Sequence, residues 1–375
     1  MRQMKREELR TPCYVIMESE LKKNLQILKG IRERTGCKIL LAQKAFSMYS
    51  CYPLIAEYLD GTTASGLYEA KLGKECMGKE NHIFSPAYRE DEFEEVLDNC
   101  EHLVFNSFSQ LEKFGERAAK ARKSIGIRVN PECSTQEEHA IYDPCAQGSR
   151  LGILVSEFPE TLPSYVEGLH FHTLCEQNAD ALEITLKAVE EKFGTWMKQL
   201  KWVNFGGGHH ITRADYDREL LISCIRHIQD TYQVQVYLEP GEAVALNAGH
   251  LITTVEDIVH DQIAVLDTSA ACHMPDVIEM PYRPPLLDSG EAKEKPYTYL
   301  LGGPTCLAGD MIGEYSFDHP LQAGDRLTFG DMAIYTTVKN NTFNGMRLPD
   351  IVWERENGEC EIVKSFGYED FKCRI

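Results

Sequence analysis

The chain has 375 residues, of which 43% are hydrophobic and 26% are charged, and its formal net charge is −19. This length exceeds what one hydrophobic core normally serves and so predicts two structural units, while the composition excludes a disordered or fibrous protein. The negative charge argues against a nucleic-acid partner, whose phosphates would be repelled, and it is compatible with a cationic substrate.

The first residues and the cysteines predict where the protein works. The start MRQMKREELRTP is basic but lacks the apolar centre of a signal peptide, and no apolar run approaches the roughly 18 residues that span a bilayer. The 13 cysteines are odd in number, scattered, and without CxxC spacing. We therefore expect a cytoplasmic protein with reduced thiols and no membrane partner.

The first two thirds of the chain alternate between strand-like and helix-like patterns. Short apolar runs predict eight strands, at 37–43, 62–66, 81–84, 102–106, 125–129, 166–172, 201–205 and 235–239. Segments with helical spacing lie between them, at 52–59, 68–77, 91–97, 109–122 and 179–193. Eight alternating signals predict a parallel sheet of the α/β class that closes as a (β/α)8 barrel over residues 17–245.

The pattern changes beyond residue 245. The segments LITTVEDIV, IAVLDTS, DRLTFG, AIYTTV and GECEIVKSF are short, rich in β-branched residues, and separated by Gly, Pro and Asp. Such segments are typical of an antiparallel sheet or a small barrel. We therefore predict an all-β domain over 246–375, which the amino-terminal strand TPCYVIM, within 1–16, could join.

Four features follow the predicted barrel strands at the point where each strand ends. Lys44 lies in LAQKAF after the first strand, His170 and His172 in HFH after the sixth, the triplet Gly206–Gly208 in NFGGG after the seventh, and Glu239 in LEPGE after the eighth. The carboxyl ends of barrel strands form one rim, so these groups should converge. A lysine there has a lowered pKa and can condense with a carbonyl, and a glycine triplet lets backbone N–H groups cradle phosphate.

Each feature alone has an ordinary explanation. Lys44 could reach solvent beside its strand, and the glycine triplet could be a simple turn. His170, His172 and Cys175 could also bind a metal, but no convincing further ligand is apparent, so we predict none. The combination of a lysine, an imidazole, a phosphate cradle and a carboxylate instead meets the requirements of pyridoxal 5′-phosphate (PLP).

The motifs LLAQKAF, HFH, NFGGG and EPGE, followed by GGPTCLAGD and YTTVKNNTFNG, resemble those of the barrel-type PLP decarboxylases that act on ornithine, arginine and diaminopimelate. The resemblance runs from Thr11 to Gly345. It implies an alanine racemase-like architecture, with a PLP-binding barrel and a β domain. It also implies a homodimer with shared active sites.

The resemblance assigns a role to each cofactor-binding residue. It implies that Lys44 attaches the cofactor, that His172 lies flat against its ring, and that Glu239 meets the ring nitrogen. The phosphate would be bound by the glycine loop, with help from Tyr335 and the Arg150 region. Cys306, in a loop-like Gly-Pro-Thr-Cys setting, is the expected proton donor to the substrate carbon, with Lys44 as the alternative.

Two departures from the family pattern concern the substrate. Leu307 stands where an acidic residue usually follows the cysteine, and Glu242 stands where an arginine usually follows Glu-Pro-Gly. The loss of the acid counts against a compact diamino acid, and Leu307 would line the path of an alkyl chain. Candidate carboxylates for the amines of a longer substrate are Glu242, Asp267, Asp276 and Asp310.

The resemblance therefore implies a PLP-dependent decarboxylase that acts on a carboxylated polyamine. Two alternatives stay open at this point. One is a decarboxylase of diaminopimelate or another basic amino acid, and the other is a non-catalytic barrel that binds PLP.

Overall fold

The computed structural model describes residues 4–136 and 142–375. These residues form two compact units, one of which is Asn24–Val244. The other combines the described residues up to Lys23 with Ala245–Ile375. The first unit contains a closed parallel barrel and the second a separate mixed sheet, which confirms the predicted fold class.

The barrel contains all eight strands that the sequence predicts. Strand β1 (Cys13–Met17) belongs to the other unit, and the barrel begins with β2. Its strands are β2 (Lys38–Ala42), β3 (Gly61–Ala64), β4 (Glu80–Phe84), β5 (His102–Phe105), β6 (Ser124–Arg128), β7 (Val166–His170), β8 (Trp202–Asn204) and β9 (Gln235–Leu238). Each pairs in parallel with the next, and β9 closes the barrel onto β2.

The barrel interior is filled by large side chains from several of its strands. Trp202, Tyr237, Leu40 and Val104 form one buried cluster. The indole of Trp202 packs against Gly168, which has no side chain. A β-carbon at Gly168 would lie 2.0 Å from the indole ring, so only glycine leaves room for it. The barrel is therefore a packed core, and its chemistry must lie at the strand ends.

Helices connect the strands and continue into the second unit. They are α1 (Glu18–Thr35), α2 (Tyr52–Ala56), α3 (Leu67–Leu72), α4 (Phe93–Asn99), α5 (Phe108–Lys120), α6 (Ala179–Met197), α7 (Arg218–Tyr232), α8 (Glu242–Ala245), α9 (Ala270–His273), α10 (Asp276–Glu279), α11 (Thr336–Lys339) and α12 (Tyr368–Lys372). Among the helices of residues 4–136 and 142–375, none is both long and apolar enough to cross a bilayer.

The second unit is built on one eight-stranded sheet. Besides β1 it contains β10 (Gly249–Val259), β11 (Ile263–Leu266), β12 (Tyr297–Gly302), β13 (Met311–Phe317), β14 (Arg326–Phe329), β15 (Asp350–Glu354) and β16 (Cys360–Lys364). The strand order is β13-β12-β11-β10-β1-β15-β16, and β14 also pairs with β10. The amino-terminal strand thus lies inside this sheet, between β10 and β15.

Two expectations for this unit were wrong. The sheet is not purely antiparallel, because β1 pairs in parallel with β15 and β11 with β12. AIYTTV is not a strand but leads into the short helix α11. The hydroxyls of Thr336 and Thr337 donate to the carbonyls of Met332 and Ala333, four residues earlier, and this local bonding holds a turn despite the β-branched side chains.

The amino-terminal ends of the barrel strands carry a polar cluster. The imidazoles of His82 and His102 stack at 4.0 Å, and each approaches Oε1 of Glu80, at 2.8 and 3.2 Å. Tyr237 donates to the same oxygen at 2.8 Å, and Lys38 binds the other. Burial lowers the pKa of His102 to about 2, and neighbouring His82 contributes to this shift. The imidazole of His102 is therefore neutral in the folded protein.

We expect acid to destabilise the protein through this cluster. His102 takes up a proton near its ordinary pKa of 6.5 only when the chain unfolds, so the free energy of unfolding falls as the pH drops below about 6.5. The loss is roughly 1.4 kcal/mol per pH unit for one such histidine. Urea unfolding between pH 7 and 4 measures it, and His102→Gln should flatten the slope by about one proton. The exposed His319→Gln is the control; an unchanged slope in His102→Gln would contradict the assignment.

Candidate active site at the carboxyl ends of the barrel strands

Lys44 follows β2 directly, as the sequence predicts. The backbone N–H of Ala42 donates to the carbonyl of Pro240 at 3.1 Å, which ties the end of β2 to the segment after β9. The Lys44 side chain keeps access to solvent, although protein atoms surround it. Removal of water by these atoms lowers the pKa of Lys44, and the nearby Arg128 lowers it further. A lowered pKa makes a neutral amine available for condensation with a carbonyl.

His172 lies against the glycine loop that follows β8. Its Nδ1 accepts a hydrogen bond of 3.1 Å from the N–H of Gly207, so the neutral ring carries its proton on Nε2. Burial lowers the pKa of His172 well below its ordinary value, and Lys44 and Arg128 add to the effect. A β-carbon at Gly207 would lie 2.6 Å from the carbonyl oxygen of Glu239, so the loop needs glycine to pack here.

Glu239 follows β9 directly and is almost completely buried. Oε1 accepts a hydrogen bond of 2.8 Å from the amide of Asn204, and Oε2 lies 3.3 Å from Nε2 of His170. Burial alone would raise the pKa of Glu239, but the neighbouring His170 and Asn204 help to lower it to about 2. Burial also lowers the pKa of His170, so we assign the charge of this pair to the carboxylate.

The sequence did not reveal two residues of this rim, Asn204 and Arg128. Asn204 is fully buried and bridges the site, since its Oδ1 accepts from the N–H of Gly206 at 2.8 Å while its amide donates to Glu239. Arg128 ends β6, stacks on Phe84 at 4.5 Å, and donates to the carbonyl of His172. The one available signal was position, because each is a polar residue at the carboxyl end of a buried strand.

A second group of ionisable side chains lies on the same rim. Oε2 of Glu242 is 3.1 Å from Nε2 of His210, and one carboxylate oxygen of the exposed Glu176 lies within 4.8 Å of both. The negative charge of Glu242 opposes the lowering of the Lys44 pKa. Glu242 therefore faces the same region as the lysine.

Other predicted residues lie outside this cluster. Arg150 is exposed, and its carbonyl accepts from the amide of Asn106 at 2.8 Å. Cys306 and Leu307 are exposed on the loop after β12, in the second unit. Tyr335 precedes α11 in that unit with a φ of +56°, which is uncommon for an aromatic residue. The structure thus brings together Lys44, His172, the glycine loop and Glu239 within the barrel.

The three aspartates proposed to bind amines are already hydrogen-bonded. Asp267 accepts from the hydroxyl of Thr253 and the N–H of Thr254, and Asp276 pairs with Lys339. Asp310 is only 2% exposed and accepts from groups on both sides of its carboxylate. Because a substrate amine would have to replace these partners, we do not include these residues in the proposed substrate site.

The barrel rim suits an anionic, polar cofactor. Buried side-chain atoms without a hydrogen-bond partner cluster here, on Gln43, Arg128, His170, His209 and His210. Such atoms are costly unless a ligand or water binds them. Arg128 supplies positive charge, Lys44 supplies an amine, and the glycine loop presents backbone without side chains. These features fit PLP, whose aldehyde needs an amine and whose phosphate needs cations and close backbone.

Comparison with known proteins identifies relatives along nearly the whole chain. A family model described as pyridoxal-dependent decarboxylase, C-terminal sheet domain, matches residues 13–333. A carboxynorspermidine/carboxyspermidine decarboxylase of Campylobacter jejuni is 46% identical, over 98% of this chain and 99% of its own. A carboxyaminopropylagmatine decarboxylase of Synechocystis is 40% identical, over 98% and 96%.

A solved structure is similar to this chain in both sequence and fold. The carboxynorspermidine decarboxylase of Campylobacter jejuni, in complex with norspermidine, superposes with a TM-score of 0.92 at 45% identity. The alignment covers 98% of this chain and 100% of that one. The two chains therefore share one fold over their full alignment.

Proposed function

Because the chain belongs to the pyridoxal-dependent decarboxylases, we propose that it removes the carboxyl group from carboxynorspermidine and carboxyspermidine. The products would be norspermidine and spermidine, which places the enzyme in polyamine biosynthesis. The identity of 46% over nearly the whole chain to a decarboxylase named for these two substrates is the observation that carries the proposal. The net charge of −19 suits a cationic substrate.

The barrel residues supply binding and electrostatics for this reaction. Lys44 would attach PLP, and the glycine loop together with Arg150 and Tyr335 would bind its phosphate. When bound, PLP supplies an electron sink for the pair released as carbon dioxide leaves. The ionised Glu239 would keep the ring nitrogen protonated, since an adjacent negative charge favours the charged form.

Two further steps are assigned to side chains. His172, held by the N–H of Gly207, would fix the tilt of the ring by lying against its face. The thiol of Cys306 would return a proton to the substrate carbon, with the amine of Lys44 as the alternative donor. The exposure of Cys306 supports this role, because a thiol that transfers a proton must reach the substrate.

We propose that Glu242 binds an amine of the substrate and that Leu307 contacts its alkyl chain. Support for Glu242 comes from its charge, its pairing with His210 at 3.1 Å, and its electrostatic influence on Lys44. Leu307 is 43% exposed, so its side chain is available for contact. A diamino acid such as ornithine would lack the acidic partner that the family usually places at position 307.

Substrate preference tests the proposed function. We expect carboxynorspermidine and carboxyspermidine to have kcat/KM values at least about 100-fold above those of ornithine, lysine and diaminopimelate, because a short substrate leaves buried polar groups unpaired. The purified enzyme loaded with PLP is incubated with each compound, and the product amine is identified by mass spectrometry. Comparable values for diaminopimelate would overturn the substrate assignment, while release of its carbon dioxide would still support a decarboxylase.

Carboxyaminopropylagmatine is the second candidate substrate. The relative named for it is 40% identical over 98% of this chain, which is close to the identity of the first. Carboxyaminopropylagmatine is also a carboxylated polyamine but ends in a guanidinium group. Including this compound in the same assay separates the two candidate substrates, since we expect it to react more slowly than carboxyspermidine.

We also propose that the enzyme is a cytoplasmic homodimer with shared active sites. The family resemblance supports the dimer, and the thirteen free thiols, all within the described ranges, suit a reducing compartment.

Lys44→Ala and Cys306→Ala chains, each inactive alone, should recover roughly a quarter of wild-type activity after random exchange, because mixed dimers make up half of all dimers and have one intact site of two. Subunit exchange is verified with distinguishable tags. If the subunits exchange but no activity is recovered, the shared site is refuted.

A further inference from the structure

The loop that carries Cys306 is held by a buried carboxylate. It connects β12 to β13 and closes on itself, since the N–H of Gly303 donates to the carbonyl of Asp310 at 2.8 Å. The N–H of Asp310 in turn donates to the carbonyl of Leu307 at 2.9 Å. Asp310 thus stands at the base of the loop, and Cys306 stands at its tip.

The side chain of Asp310 links this loop to helix α9. Oδ2 accepts from the hydroxyl and the N–H of Thr305, at 2.7 and 3.3 Å. Oδ1 accepts from the hydroxyl of Ser269 and the N–H of Ala271, at 2.9 and 3.1 Å. These four donors use both oxygens, and the carboxylate is too deeply buried to serve a substrate amine.

The loop tip is fixed from the same helix by a second route. The N–H of Cys306 donates to Oδ1 of Asn344 at 2.9 Å. The turn that contains Asn344 is itself held to α9, because Asn341 bonds the carbonyls of Ala271 and Cys272. The two routes meet on α9, so the position of the cysteine depends on contacts at the base and at the tip of its loop.

We propose that Asp310 is a positioning residue that acts through Thr305 to hold the Cys306 thiol in place. The expected effect on kcat rests on the proposed function, in which Cys306 donates a proton. The positioning of the thiol by Asp310 does not depend on that function. It replaces the expectation that Asp310 binds a substrate amine. The close fit supports it, since a β-carbon at Gly303 would lie 2.2 Å from Oδ2 of Asp310.

The first test compares variants by the reactivity of the thiol. Asp310→Asn retains the size of the side chain but turns a donor toward groups that themselves donate, and Thr305→Val removes only the bonded hydroxyl. In the PLP-loaded enzyme we expect the rate at which iodoacetamide alkylates the exposed Cys306 to change at least about threefold in both variants, because the thiol loses the surroundings that the fixed loop gives it. Peptide mass spectrometry follows Cys306, and the exposed Cys373 in the same samples is the internal control.

The second measurement separates positioning from general stability. We expect kcat to fall about 10- to 100-fold in Asp310→Asn while KM stays within about twofold, because misplacement of a reacting group slows chemistry more than binding. Thr305→Ser keeps the hydroxyl and should restore both thiol reactivity and kcat. Asp261→Asn, an exposed site with the same change of charge, should match the wild type.

Each outcome decides one question. A changed alkylation rate with unchanged kcat would support positioning but remove Cys306 from the proposed chemistry. Unchanged alkylation and unchanged kcat in folded Asp310→Asn would overturn the proposal. If that variant does not fold, the pair Thr305→Val and Thr305→Ser decides, and equal alkylation rates in the two would overturn it.

Discussion

Replacing Lys44 with alanine is expected to abolish turnover and the visible absorption of the bound cofactor. We propose that the amine of Lys44, which follows β2, condenses with the aldehyde of PLP, and removal of water by the surrounding protein lowers its pKa. We expect kcat to fall by about 10³-fold or more, because the same amine attaches the cofactor and can move protons.

Borohydride reduction identifies the attachment site directly. After reduction of the wild-type enzyme with PLP bound, peptide mapping should find the label on Lys44 alone. Lys120→Ala, on the exposed face of α5, controls for the loss of a lysine and should retain wild-type absorption and turnover. Label on another lysine would refute the assignment, whatever the activity of the Lys44 variant.

Replacing Glu239 with glutamine is expected to slow decarboxylation by about 10²–10³-fold while PLP stays bound. A loss of this size is typical when an enzyme loses one preorganised electrostatic group. The carboxylate has a pKa of about 2 and is ionised at neutral pH, so it can hold a proton on the ring nitrogen. Glutamine retains the shape and can still accept from Asn204, but it carries no charge.

Single-turnover measurements separate binding from chemistry in this variant. The absorption of bound PLP and its affinity should change little, whereas the rate of carbon dioxide release should fall. Glu112→Gln, an exposed glutamate on α5, is the matched control. Turnover of Glu239→Gln near the wild-type value would show that Glu239 is not the partner of the ring nitrogen.

The sequence predicted the parts of the site that follow from strand position. The proximity of Lys44, His172 and Glu239 could be predicted because parallel strands place their carboxyl ends on one rim, and each residue follows a recognisable strand. Arg128 was missed because an arginine at a strand end resembles a solvent-exposed residue, while the structure buries it against Phe84. Asn204 was missed because its side chain joins the glycine loop that follows its own strand to Glu239, which lies 35 residues later in the chain.

The second unit was less predictable for a physical reason. The register of β1 with β15 joins Cys13 to Asp350, so the pairing depends on residues separated by most of the chain. Local patterns also failed at Thr336 and Thr337, whose β-branched side chains favour a strand until their hydroxyls bind the turn. The role of Asp310 depends on a network of hydrogen bonds, and no spacing in the sequence records that network.

The place of β1 inside its sheet has a consequence for synthesis on the ribosome. All residues of the barrel leave the ribosome before those of β10, so the barrel can fold while the rest is being made. Strand β1 emerges first but finds neither β10 nor β15 until their residues have been translated. At ordinary elongation rates it waits on the order of tens of seconds with a fully apolar strand, CYVIM, unpaired. A nascent chain arrested shortly before Gly249 therefore presents this segment to chaperones; β10 then gives β1 its antiparallel neighbour, and β15 gives it its parallel one.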